Sequence, residues 1–185
     1  MAELPENERF ELSAVYPCYV LGPSLVKEYK TGLVIVYNMT NKWPINGGIP
    51  NLAIGMVDVR DVALAHILCL TSDAAQGKRF IIAGGSMFFK EQAAELRKLF
   101  PKDQYDYDIA SKDITYEETK KAADAGNPYA KKYLQRWGHL SVYNNTRSRE
   151  VLGLQYRPAS ETLKDTVETL IKWGMLKDRR IRPKL

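Results

Sequence analysis

Residues 56–100 alternate between short apolar segments and segments of helical periodicity, and this alternation limits the possible folds more than any other feature of the sequence. After the first apolar segment, a helix is predicted to begin at Asp58 or Asp61, because one helical face collects positions 62, 63, 66, 67 and 70. Residues 79–83 are predicted to form a buried strand, and a second helix follows the turn at 84–86. Strands that alternate with helices in this way predict an α/β fold.

The flanking segments add one more strand and several helices. Residues 10–16 alternate apolar and polar side chains before a proline, as a strand entering a sheet does. Residues 31–42 fit one helical face but are also β-branched, and we interpret them as a helix. Further helix signals are a capping box at 115–118, an Asn-Pro pair at 127–128, a segment closed by a glycine at 146–153, and an amphipathic segment at 158–175. The chain is therefore predicted to contain few strands and more helix.

Composition and charge exclude several classes of protein. The chain has 185 residues, of which 45% are hydrophobic, and this is enough to close a core. No segment approaches the ~18 uninterrupted apolar residues of a membrane-spanning helix, and the acidic N-terminus is unlike a signal peptide. We therefore expect a cytoplasmic protein with no membrane partner. Most of the net charge of +5 comes from residues 177–185, a basic tail that we expect to be solvated rather than bound to nucleic acid.

The sequence predicts no metal site. Its two cysteines, Cys18 and Cys69, and its two histidines, His66 and His139, do not have the spacing of metal ligands. His66 falls on the apolar face of the helix predicted after Asp58, so we expect it to be buried. The glycines before the second helix resemble a phosphate cradle only weakly, and a tight strand-to-helix turn is the preferred interpretation.

Three segments of the sequence resemble extended short-chain dehydrogenases/reductases of the NAD-dependent epimerase/dehydratase superfamily. Residues 10–25, FELSAVYPCYVLGPSL, are similar to the stretch that follows the catalytic helix in that family. Residues 56–66, MVDVRDVALAH, resemble an element of its dihydroflavonol reductase, cinnamoyl-CoA reductase and ketone reductase branch, and residues 145–153, NTRSREVLG, resemble its C-terminal signature. The resemblance implies that residues 1–176 form the C-terminal, substrate-side part of such a protein, without its N-terminal Rossmann half, and that residues 177–185 form a separate tail.

The resemblance also implies parts that this sequence is not expected to contain. In the family, a Gly-rich turn brings the backbone close to the cofactor pyrophosphate, but no two of the twelve glycines here lie two or three residues apart. The family's catalytic Tyr-x-x-x-Lys would lie before residue 10. A matching string at Tyr116–Lys120 lies far downstream among charged residues, and we interpret it as coincidence. We therefore expect no catalytic residue in this chain and an incomplete site for NADP or NAD.

The resemblance assigns binding roles to six positions. The stretch 17–20 is expected to line the nicotinamide end of the cofactor pocket, with Pro17, Cys18, Tyr19 and Val20. Ser24 and Arg60 are expected on the substrate side.

Three of these assignments have a structural alternative. Pro17 removes a backbone donor and would simply end a strand. Cys18 has no upstream base to activate it, so a small packed residue is the preferred interpretation. Arg60 lies between Asp58 and Asp61 and could form an ion pair with either.

The function implied by the resemblance is that of an NAD(P)-dependent oxidoreductase acting on the carbonyl or alcohol group of a small molecule. Because the phosphate turn and the Tyr-Lys pair are missing, we expect this chain to be inactive alone. The alternatives are a truncated, non-catalytic binding or interaction module and an incomplete gene model. Without a Rossmann half, the strand before Pro17 would have an open edge and an uncovered face, which favours association.

Overall fold

A computed structural model describes residue 5 and residues 10–28, 31–43, 45 and 47–181 of the chain. In these residues it contains five short strands and seven α-helices. The strands are β1 (Ala14–Pro17), β2 (Tyr19–Leu21), β3 (Ala53–Asp58), β4 (Arg79–Ile82) and β5 (Gly85–Phe88). The helices are α1 (Thr31–Thr40), α2 (Val59–Thr71), α3 (Phe89–Leu99), α4 (Tyr116–Asp124), α5 (Pro128–Leu134), α6 (Thr146–Leu152) and α7 (Ala159–Lys172).

The strands form two small sheets that share one stretch of chain. β1 pairs in parallel with β4, with Tyr16 opposite Ile81. β2 pairs in parallel with β3, and β3 pairs antiparallel with β5. Cys18 joins the two sheets, because it lies between β1 and β2 and its N–H donates to the carbonyl of Ile82 at 3.1 Å. The predicted α/β fold with few strands and more helix is confirmed.

Two strand predictions differ from the structure. β1 begins at Ala14 and not at residue 10, so the alternating pattern extends beyond the strand on its N-terminal side. The residues after Gly84 form β5 and not a strand-to-helix turn, because Gly85 and Ser86 pair with Met56 and Gly55 of β3.

The first turn of α3 also excludes the phosphate cradle considered at this point. The carboxylate of Glu91 accepts the N–H of Phe88 at 2.8 Å, so an acidic side chain already occupies the end of the helix. An anion there would meet a negative charge instead of free N–H groups.

The face of α2 that the sequence assigns to the core is mostly exposed, and of its five positions only Val62 is half-buried. Asp61 and Ala65 are the buried residues of this helix, whereas Ile67 is 56% exposed and Leu70 is 87% exposed. The prediction that His66 is buried is wrong: the side chain is exposed, and one ring nitrogen contacts the carbonyl of Val62 on its own helix. Since α2 is apolar on more than one face, periodicity could not tell which face packs within this chain.

The helix ends follow the sequence signals closely. Asp58, one of the two predicted N-caps, caps α2 by accepting the N–H of Arg60 at 2.9 Å. The capping box of α4 and the asparagine cap of α5 are both present. Gly153, which ends α6, has φ of 66°, a left-handed conformation that favours glycine.

The core is divided between two main clusters. The larger one lies where α1, α3 and α7 meet β2 and β3, and its fully buried residues are Val36, Met39, Ala93, Leu96, Leu163, Val167 and Leu170. The smaller one includes Val57, Phe80, Ile82 and Leu154 beneath α2 and α6. A cavity opens on the α1 side of the larger cluster, as described below.

Over the part of the chain that the structure describes, every helix is too short or too polar to cross a bilayer.

The first residues of the basic tail pair with the segment after α3. The N–H of Asp106 donates to the carbonyl of Arg179 at 2.9 Å, and the N–H of Ile181 donates to the carbonyl of Gln104 at 2.8 Å.

Candidate functional site

Asp58 is a buried carboxylate at the point where β3 ends and α2 begins, and its side chain is fully enclosed. Arg60 donates to both of its oxygens, through Nε and an Nη atom, each at 2.8 Å. Thr162 of α7 donates its hydroxyl to the same carboxylate at 2.9 Å. Arg60 also pairs with Asp165 at 2.8 Å and with Glu161 at 3.2 Å, so one guanidinium fastens α7 to the start of α2.

These contacts fix the ionisation of the pair. Burial alone would raise the pKa of Asp58, but hydrogen bonds from Arg60 and Thr162 outweigh it and hold the pKa below its usual value. The hydrogen bond with Asp58 raises the pKa of Arg60 further, so the guanidinium is permanently charged. The neutralised pair of Asp58 and Arg60 holds the backbone in place. The Asp58 carboxylate carries no proton to exchange at neutral pH.

A second buried carboxylate supports the same junction. Asp61 is enclosed within α2 and accepts the backbone N–H of Arg157 at 2.9 Å, and the Arg157 guanidinium pairs with its other oxygen. The two aspartates of the VDVRD segment therefore serve two different arginines. Both of them join α2 to the chain entering α7.

The loop after β2 is held against α7 by hydroxyl groups. The N–H of Gly22 donates to Thr166 at 2.7 Å, and the N–H of Ser24 donates to Thr169 at 3.3 Å. Gly22 has φ of 103°, and an added Cβ would stand 3.0 Å from the Asp58 carboxylate. A glycine is therefore required where this loop passes the buried charge.

A cavity of about 590 Å³ opens between α1, β3 and α5. This volume lies within the range of small-molecule sites in proteins. Its apolar wall is formed by aromatic and aliphatic side chains, among them Tyr19, Ile35, Trp43, Ile54, Phe89 and Tyr133. Polar and charged groups come from α1 and from α5 with the residues after it: Asn38, Lys132, Gln135 and Arg136.

Two polar side chains, one buried and one half-buried, lie beside this cavity. The indole N–H of Trp43, whose residue is only 2% exposed, makes no hydrogen bond of full geometry, and the group within its reach is the hydroxyl of Tyr133. Burial raises the pKa of the half-buried Tyr133 to about 12, although its side-chain hydrogen bond with Trp43 acts in the opposite direction. Tyr133 is therefore neutral at physiological pH and contributes no negative charge to the cavity.

The structure separates the four residues expected to bind the cofactor. Pro17 ends β1 and is exposed. Tyr19 lines the large cavity, whereas Cys18 and Val20 pack against the smaller core cluster on the other side of the strand. Burial raises the pKa of Cys18 to about 11, so the thiol is protonated, which agrees with a packed residue and not with a nucleophile.

The two residues expected on the substrate side are both engaged within the chain. The hydroxyl of Ser24 donates to the carbonyl of Val26 at 2.8 Å, and the carbonyl of Ser24 accepts the indole N–H of Trp173 at 3.0 Å. Arg60 makes the ion pair with Asp58 that was one of its two alternatives, while Asp61 pairs elsewhere. Neither Ser24 nor Arg60 is among the residues that line the cavity.

Sequence reasoning missed most of the cavity wall. The residues from α5 and its C-terminal side come from the stretch 102–138, which resembles the family least, and the sequence marks only the start of this helix. Nothing in the sequence around Trp43 distinguishes it from an ordinary packing residue. Within the ranges described, no group of three His, Cys, Asp or Glu side chains could hold a metal ion.

Several known proteins that are similar to this chain in sequence and fold are reductases. No family model matches the chain. The chain is 31% identical over 183 residues to cinnamoyl-CoA reductase 1 of rice (Oryza sativa subsp. japonica). The aligned region covers 95% of this chain and 46% of the rice protein. The yeast methylglyoxal/isovaleraldehyde reductase Gre2, solved with NADPH, matches with a TM-score of 0.61 and 25% identity over 90% of this chain and 48% of that one.

The Gre2 protein of Candida albicans, also solved with NADPH, gives a TM-score of 0.65 and 26% identity over 93% of this chain and 47% of that one. The chain thus spans about half the length of the relatives it matches. The resemblance read from its three sequence segments is confirmed. By sequence and by fold, the chain is a homologue of the cinnamoyl-CoA reductases and Gre2 methylglyoxal reductases among the extended short-chain dehydrogenases/reductases, and it matches a C-terminal-like part of just under half of such a protein.

Proposed function

We propose that this chain forms the substrate-side part of an NADPH-dependent reductase that acts on the carbonyl group of a small molecule, or on the corresponding alcohol. One observation carries the proposal: Tyr19, from the stretch expected to line the nicotinamide, also lines the cavity of about 590 Å³. The expected cofactor position and a ligand-sized cavity are therefore adjacent. The relatives support the chemistry, since yeast Gre2 is described as an NADPH-dependent methylglyoxal reductase.

The described residues fit only one end of the cofactor. The stretch around Pro17 and Tyr19 lies where strands end, the edge at which α/β proteins bind ligands. A pyrophosphate needs a helix N-terminus with free N–H groups and, in this family, a Gly-rich turn before it. Helices α2, α3, α4 and α7 carry an acidic residue in their first turn, and α1, α5 and α6, which do not, follow no Gly-rich turn. NADPH would supply the hydride when bound, and we propose that its phosphates are held by residues outside this chain.

We also propose that the acid–base pair of the reaction comes from outside this chain. The string Tyr116–Lys120 lies at the start of α4, where Tyr116 is 46% exposed and packs edge-on against Trp137 at 5.6 Å. Neither member of the string lines the cavity. A tyrosine that donates a proton to a substrate carbonyl has to lie within hydrogen-bonding reach of it. These 185 residues alone are therefore expected to give no turnover.

The test is a titration of the purified chain with NADPH and NADH, followed by thermal melting and by absorbance at 340 nm with methylglyoxal. A ligand that binds only the folded state raises the melting midpoint by mass action. We expect no shift larger than experimental error and no oxidation of NADPH. A saturable shift, or turnover with either cofactor, would overturn the proposal that the phosphate site and the acid–base pair lie elsewhere.

A non-catalytic binding module is the second candidate, and the cavity favours it. All of the cavity wall comes from this chain, so a ligand could bind without a cofactor or a second domain. A sharp melting transition of a monomer, with no response to NADPH, would favour this candidate. A broad or aggregating transition would favour an incomplete part of a reductase instead.

A further inference from the structure

We propose that the cavity between α1, β3 and α5 binds an aromatic anion, with its ring against Trp43 and Phe89 and its carboxylate at Lys132 and Arg136. The inference rests on the proposed function only in its assignment of the cavity to the substrate side. Binding itself needs no cofactor, so it can be tested separately.

The inner part of the cavity is suited to a flat ring. The ring centroids of Trp43 and Phe89 lie 5.1 Å apart, with an angle of 48° between the ring planes. The ring centroid of Tyr133 lies 6.4 Å from that of Trp43. Leu52 and Ile54 of the β3 region, both buried, complete the apolar wall. An aromatic ring gains both apolar burial and favourable edge-to-face or offset contacts in such surroundings.

The outer part of the cavity is positively charged. Lys132 and Arg136 lie one turn apart and are exposed, and the lining contains no aspartate or glutamate. Within the described ranges, neither side chain forms an ion pair. Arg60, by contrast, is shared among three carboxylates. Two unpaired cations at the mouth of an apolar cavity favour a ligand that carries a negative charge at one end.

The buried indole N–H of Trp43 adds a third requirement. The Tyr133 hydroxyl is within its reach but does not complete a hydrogen bond of full geometry, and a buried donor satisfied so poorly is uncommon in folded proteins. A ligand oxygen placed in line with the indole N–H would complete this hydrogen bond. The ligand class is therefore a planar, largely apolar anion that carries a carboxylate at one end and a hydrogen-bond acceptor near its ring.

The test compares one anion with a neutral compound of the same shape. The ¹⁵N-labelled chain is titrated with 3-phenylpropanoate, with 3-phenylpropanamide and with the aliphatic anion hexanoate, and the indole N–H signals are followed by NMR. A Trp43→Phe variant assigns the signal of Trp43 among those of the three tryptophans. We expect this signal to shift on saturation, with 3-phenylpropanoate bound about three- to tenfold more tightly than either comparison compound.

Two surface variants locate the charge. Lys132→Gln combined with Arg136→Gln is expected to bring the affinity for 3-phenylpropanoate down to that for the amide. Lys131→Gln, an exposed neighbour on α5 outside the lining, is the matched control and should bind like the unchanged chain.

Equal binding of acid and amide, or no binding by a chain with a well-dispersed spectrum, would overturn the inference. Shifts confined to Trp137 or Trp173 would overturn it as well, since they would place the ligand elsewhere. These outcomes do not contradict the proposed reductase function, because NADPH is absent from the experiment. A positive NADPH titration would contradict the proposal on the cofactor site without contradicting the binding of an aromatic anion.

Discussion

Arg60 stands at a position expected on the substrate side and forms a network of ion pairs within the chain. Its position in the VDVRD segment permitted either role, and the sequence named Asp58 and Asp61 as possible partners. The structure selects Asp58, and it adds Asp165 and Glu161 of α7, which no local pattern could indicate. Short-range partners were therefore predictable from the sequence, whereas partners about 100 residues away required the fold.

Replacement of Arg60 is predicted to destabilise the chain strongly. Arg60→Met leaves the enclosed carboxylate of Asp58 without its cation, which costs about 3–5 kcal/mol in the free energy of unfolding. The matched control is Lys164→Met on α7, whose ion pair with Glu168 is exposed and measures 3.9 Å. Its cost should stay below about 0.5 kcal/mol. Urea unfolding of both variants checks this, and equal costs would contradict the structural role of Arg60.

The acid dependence of stability provides a second readout of the same variant. Because the pKa of Asp58 is held below its usual value of 3.8, its stabilising contribution is complete above that value and is lost as the pH falls through the lower folded-state pKa. The difference in stability between Arg60→Met and the unchanged chain should therefore be full at pH 7 and shrink towards about pH 2. A difference that stays constant with pH would mean that the lost contact is packing alone.

At the scale of elements, the existence of α1 could be predicted from the sequence, but its packing against β2 could not. The segment 31–42 was ambiguous between helix and strand, and the helix interpretation is confirmed. Gly32 in its first turn lets the helix approach β2, since an added Cβ would stand 2.1 Å from the carbonyl oxygen of Val20. The spacing of apolar residues predicts the helix, but its close approach to β2 depends on a strand more than ten residues earlier in the sequence.

Gly32→Ala is predicted to push α1 away from β2 and to disturb the cavity wall between them. Overpacking of this kind costs about 1–3 kcal/mol, which outweighs the gain of about 1 kcal/mol that alanine brings to a helix. Gly85→Ala is the control, because an added Cβ there meets nothing within 4 Å. Thermal or urea unfolding should separate the two variants, and a Gly32→Ala chain as stable as Gly85→Ala would contradict the close approach.

The elements that sequence reasoning missed have a common physical cause. β5 begins with Gly85, and glycines ahead of a helix favour a turn unless a neighbouring strand supplies hydrogen bonds, as β3 does. The buried face of α2 was misassigned because that helix is apolar on several sides. Local patterns therefore predicted where elements lie, and tertiary contacts decided how they pair and which face they bury.

On the scale of the whole molecule, apolar side chains are exposed on two surfaces of the chain. Leu64, Ile67 and Leu70 lie along α2 with exposures of 41%, 56% and 87%. Tyr16 and Ile81 lie opposite each other on the open face of the β1–β4 sheet. Exposed apolar side chains that lie next to one another favour association in water.

The chain studied alone is therefore predicted to self-associate through α2. In sedimentation velocity, its average mass should rise with concentration over about 10–200 µM, as expected for an uncovered apolar helix face. Ile67→Lys combined with Leu70→Lys should restore a monomer without lowering the melting midpoint, because both side chains are solvent-exposed. Val142→Lys, 87% exposed but outside this face, is the matched control and should associate like the unchanged chain. A monomer at every concentration, or a double variant that loses stability, would show that the α2 face is not an open interface.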